Sequence, residues 1–128
     1  MKRLFAAAIV LLMLAPATVL CQKKNVTVIG EVVDVISYVT KGVKPTTPDL
    51  KEVFDERVKA GSPVGILEAS TGKLYLVMMK ESNKKAADVL VPFAGMRIAA
   101  NGDVYTRGST RLLIITSVGK SIKYRSTS

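Results

Sequence analysis

The chain has 128 residues, with no histidine, no tryptophan, one cysteine and only seven aromatic side chains, four tyrosines and three phenylalanines. Without histidine there is no imidazole general base, no imidazole metal ligand and no histidine-ligated haem. A single cysteine, Cys21, cannot close an internal disulfide, so stability must come from core packing. An aromatic content of 5% leaves little with which to stack bases or sugar rings. No Gly-rich phosphate loop of the G-x-x-x-x-G-K-S/T type is present. These absences point away from an enzyme: no catalytic residue, cofactor site or metal site can be assigned.

What is present begins with an export signal. Lys2 and Arg3 precede an unbroken apolar run from Leu4 to Leu14, followed by small residues. That run is shorter than the roughly 20 residues of a spanning helix, so residues 1–21 read as a removable signal peptide and the protein as exported: periplasmic, extracellular or at the cell surface. Ala15-Pro16-Ala17 and Val19-Leu20-Cys21 both offer cleavage patterns. Thr18-Val19-Leu20 fits a lipoprotein box poorly, because Leu20 stands where a small residue is wanted, so a lipid anchor at Cys21 is not expected.

Of 19 basic and 10 acidic residues, Lys2 and Arg3 leave with the signal, so 17 oppose 10 and the mature chain carries +7. Such a balance serves solubility or draws a polyanion.

The remaining residues suit one small domain, 22–119, with a basic tail over 120–128. A β-branched stretch from Asn25 to Val39 reads as one long strand bent at Gly30. Thr47-Pro48-Asp49 is a helix start, Leu50, Val53, Phe54 and Val58 share a face, and Gly61 is the stop. The acids Asp49, Glu52, Asp55 and Glu56 on this helix read as a solvated face paired with Lys51, Arg57 and Lys59. Two strands, Pro63 to Ala69 and Lys73 to Lys80, flank the turn Ser70-Thr71-Gly72. A short apolar segment lies within Ala86 to Gly95. Met96 to Tyr105 reads as one strand kinked at Asn101-Gly102, then a turn at Arg107-Gly108-Ser109 and a last strand from Leu112 to Val118. The fold class is therefore all-β with one or two short helices, a five-stranded OB-like barrel in which Ala86 to Phe93 takes the usual helix position between strands three and four.

Gly30-Glu31-Val32-Val33-Asp34, Tyr38, Lys59-Ala60-Gly61-Ser62-Pro63-Val64-Gly65-Ile66-Leu67, Gly72-Lys73-Leu74-Tyr75-Leu76, Ala94-Gly95 and Val104-Tyr105-Thr106-Arg107-Gly108 resemble a family of small exported bacterial OB-fold-like proteins. The resemblance implies a fold more than an activity. Many members of that family carry a cysteine before the matched tyrosine and a His-x-x-Cys-x-x-x-Cys series on the helix. Here Ser37, Leu50, Val53 and Arg57 occupy those places, which implies that the family's metal or thiol site is absent. A better apolar core containing Leu50 and Val53 is the expected replacement.

Two features remain for binding. Lys73 to Lys80 is apolar on both alternations, Leu74, Leu76 and Met78 on one and Tyr75, Val77 and Met79 on the other, so one side is core and the other covered or sticky. Assigning Tyr75, Val77 and Met79 to the exterior makes them the candidate interaction surface for a protein partner. Lys73, Lys80, Lys84, Lys85, Arg97, Arg107 and Arg111 are the candidate polyanion contacts, for nucleic acid, acidic polysaccharide or anionic lipid. The expected function is that of a non-catalytic binding module, an accessory or interaction subunit, with polyanion binding as the alternative.

Overall fold

The computed structural model describes residues 21–121; the expected signal peptide and all but the first two residues of the basic tail lie outside them. Strand β1, Cys21–Asp34, is long enough to serve two neighbours. Residues 21–31 pair with β4 and residues 30–34 with β2, so Gly30 sits opposite Ile98 on one side and Glu68 on the other. A Cβ at Gly30 would lie 2.0 Å from the Leu67 carbonyl oxygen, and only glycine lets the strand turn that corner. Further upstream the pairing slips between Lys23 and Val26, with Asn25 in the left-handed region at φ 55°. Asparagine tolerates this conformation better than most residues, and its N–H donates to Asp103 Oδ1.

The β-branched run does not stay extended to Val39. Asp34 accepts a hydrogen bond from the Ile36 N–H and so caps α1, Val35–Lys41, which ends at Gly42 in the left-handed region. A local cap here overrides the strand preference of Val35, Ile36 and Val39. Helix α2, Pro48–Lys59, starts as expected, with the Thr47 hydroxyl accepting from the Leu50 N–H and Asp49 in the first turn. It buries Phe54 and Val58.

Strands β2, Val64–Glu68, and β3, Leu74–Met79, form the expected hairpin. Helix α3, Ala86–Leu90, continues into a 3-10 turn, Val91–Phe93, and fills the β3–β4 connection. The described residues thus hold three short α-helices instead of one or two. Strand β4, Arg97–Arg107, is continuous with a bulge at Asn101/Gly102, and β5 is Thr110–Lys120.

The strands close into a barrel in the order β1-β2-β3-β5-β4, antiparallel except for the parallel β3–β5 pair. Strand pairing reaches Cys21 at one end and Lys120 at the other, one residue beyond each expected domain boundary. Val28, Val32, Ile66, Ile98, Leu113 and Ile115 fill the interior, and Phe54, Val58 and Leu90 from the helices complete the core. No helix among the described residues is long and apolar enough to cross a membrane.

Candidate binding surface

Register decides which alternation of β3 is inside. Tyr75 is only 8% exposed, and it packs with Leu113 and Ile115 in the core; Val77 and Met79 are half-buried against the same cluster. The expected interaction surface of Tyr75, Val77 and Met79 is therefore an interior face. Burial pushes the Tyr75 phenol up from its ordinary pKa, helped by the Glu68 carboxylate and opposed by Arg111. The physical reason for the reversal is the parallel pairing with β5, which sets Val77 opposite Leu113, a fully buried residue.

The other alternation faces out, half-buried at Leu74 and open at Leu76 and Met78 among the described residues. Leu76 is 37% and Met78 51% exposed. Beside them on β5, Leu112 is paired with Leu76 and Ile114 with Met78, both half-buried. The row continues to Tyr105 on β4, opposite Leu112, and to Gln22 on β1, whose side-chain amide donates to the Tyr105 hydroxyl at 2.9 Å. In the other direction Leu76 sits opposite Gly65, and Gly65 opposite Val33. An aliphatic strip thus crosses the outside of β3 and β5, where an ordinary sheet exterior would be polar. Leu112 and Ile114 escaped sequence reasoning. The signal was present: Leu112-Leu113-Ile114-Ile115 is apolar on both alternations, as β3 is.

The seven candidate cations do not gather into one patch. Lys73 precedes β3, Arg107 ends β4 and Arg111 lies at the start of β5, where its guanidinium donates to the Ser109 carbonyl; these three share the β4–β5 hairpin end of the barrel. Lys80 follows β3, Lys84 is paired with Glu81 at 3.0 Å, and Lys85 precedes α3. Arg97 opens β4 opposite Glu31. All are exposed except Arg111, which is half-buried.

The most organised polar cluster lies elsewhere. Asp34, 2% exposed, accepts hydrogen bonds from the Ile36 N–H at 3.1 Å, from Ser37 Oγ at 2.6 Å and from Ser62 Oγ, and Arg57 Nη1 stands 3.9 Å away. Burial alone would raise its carboxyl pKa. The bonds from Ser37, Ser62 and Ile36, with the Arg57 charge, outweigh that and hold it below the ordinary value. Ser37, Leu50 and Val53 line a small void beside Asp34, and Arg57 reaches the same carboxylate, so these four residues lie together. They do not form a core: Val53 is 46% exposed, Leu50 is half-buried, and Phe54 and Val58 supply the buried face instead. Arg57 pairs with Asp34, while the helix acid Asp55 pairs with Lys59 at 2.7 Å.

Among the described residues no group of three or more His, Cys, Asp or Glu is placed to hold a metal ion. Comparison with family models, curated proteins and solved structures finds no match to this chain.

Proposed function

We propose that the chain is an exported, non-catalytic binding module, an accessory subunit of the periplasm or cell surface that docks through the outer strip of Leu76, Met78, Leu112 and Ile114. The observation that carries this reading is the exposure of Leu76 and Met78 on the outer face of β3. Contiguous apolar side chains on the outside of a small soluble barrel cost solubility and mark contact surfaces. The Asp34 cluster supports the same reading from the other side. Its oxygens are engaged by groups of the chain itself, and a carboxylate held ionised in that way is a poor general base or acid.

Binding of a nucleic acid or acidic polysaccharide through the basic residues alone is the weaker reading, because the candidate cations fall into three separate groups and form no track along a groove.

The test is fractionation of the native cell envelope with the wild-type chain and a Met78→Lys variant. Wild type is expected in a complex or on an envelope fraction, and the variant free, with unchanged thermal unfolding. Identical distribution of the two refutes the reading. Intact mass of the exported product, expected to begin after Ala17 or Cys21 without added lipid, fixes the species that is tested.

A further inference from the structure

We infer that the partner of the outer strip is an anionic lipid surface, with Leu76 and Met78 entering the headgroup boundary and Lys80 and Arg107 meeting lipid phosphates. This rests on the reading that the strip is the working surface, and four observations take it further.

The first is composition. The strip offers Leu76, Met78, Leu112 and Ile114, with no hydrogen-bonding side chain among them. Hot spots between proteins are enriched in Trp, Tyr and Arg and poor in Leu, whereas a bilayer boundary asks only for apolar insertion and positive charge. The second is the backbone. Gly65, Leu76, Leu112 and Tyr105 are each paired on both sides, so a peptide cannot add by main-chain bonding at this row; only beyond Leu76, where Met78 is paired with β5 alone, does β3 lack a β2 partner.

The third is charge. Outward alternation makes Lys80 the next residue after Met78 on β3 and Arg107 the next after Tyr105 on β4, and both are exposed and outside every ion pair of the described residues. The acid on this face, Asp103 opposite Ile114, accepts the Asn25 N–H. With the processed chain at +7, 17 basic against 10 acidic residues, the long-range field favours an anionic surface. The fourth is Tyr105 at the border. Its ring adjoins Leu112 while its hydroxyl takes the Gln22 amide proton, the two-sided arrangement that suits a tyrosine at a lipid–water boundary.

The test is co-sedimentation of the exported, processed protein, shown by mass to carry no acyl chain, with vesicles of phosphatidylcholine alone or mixed with phosphatidylglycerol. Pelleting is expected with the phosphatidylglycerol vesicles, falling as salt rises, and little with phosphatidylcholine. Met78→Gln, which adds no charge, should weaken partitioning about tenfold, the effect of withdrawing one apolar side chain from the boundary. Lys80→Glu with Arg107→Glu should weaken it by at least about tenfold, and neither change touches the aliphatic contacts. The inference is overturned by absence of pelleting at low salt, by equal pelleting of Met78→Gln, or by equal binding to both vesicle types. If the envelope fractionation still shows Met78-dependent docking while vesicles fail, the strip stands as the working surface and its partner is a protein.

Discussion

The Asp34 cluster and the outer strip are opposite kinds of place. At Asp34 a charge is buried, and hydroxyls from α1 and from the α2–β2 connection, an N–H and a guanidinium converge on it. At the strip the chemistry is dull and the surroundings are incomplete, since Leu76 and Met78 are exposed among the described residues. A cluster of polar side chains draws the eye as an active site, yet here its bonding capacity is met from within. It ties the end of β1 to α1 and α2. The strip's demand for apolar contact is unmet, and an unmet demand is what a partner can satisfy.

The comparison can be broken by substitution, and the largest effect is expected just inside the strip. Tyr75→Ala should cost about 4 kcal/mol in urea unfolding, because a large buried side chain leaves a cavity that the barrel cannot close. If it costs less than about 1 kcal/mol, the two faces of β3 have been assigned the wrong way round. Next comes Asp34→Ala, which orphans the Ser37 and Ser62 hydroxyls and leaves Arg57 without its carboxylate; about 3 kcal/mol is expected by the same measurement.

The Asp34 carboxyl also sets a pH dependence. Its folded pKa lies below the ordinary 3.8. Its contribution is therefore present above that value and lost as pH falls through the lower folded one. Stability measured from about pH 5 down to about pH 2 should fall more steeply in wild type than in Asp34→Asn. Equal slopes would show that the cluster is not what holds the proton off. Thr47→Ala, which removes the α2 cap, should cost about 1 kcal/mol. Smallest of all, Met78→Lys should change stability by less than about 0.5 kcal/mol while weakening docking. A large loss would make the strip part of the core.

Most of the architecture was legible in the residues. Thr47-Pro48-Asp49 announces α2, Ser70-Thr71-Gly72 the β2–β3 turn, and Gly30 and Gly102 the bends of the two long strands. Each is local chemistry, readable without knowing the neighbours. Helix α1 was hidden because one side chain, Asp34, decides against a β-branched run, and a cap of that kind is visible only once the backbone has turned. The direction of β3 was hidden for a different reason. Both alternations are apolar, so period alone cannot say which faces inward, and the answer comes from β5, more than thirty residues later in the chain. Leu50 and Val53 lie on the expected face of α2, but a helix resting on a barrel end buries only a narrow stripe, which Phe54 and Val58 occupy.

The corner at Gly30 also has a kinetic consequence. Strand β1 must find β4, whose residues lie about seventy positions downstream, as Gly30 and Ile98 do, before the barrel can close. Contacts of such sequence separation form slowly. A chain emerging from the amino end therefore holds an uncompleted first strand until nearly all of it has been made, and it cannot lock into its final shape early. Under the export proposed above this delay is useful, because an unclosed chain is the form that can be threaded through a translocation pore.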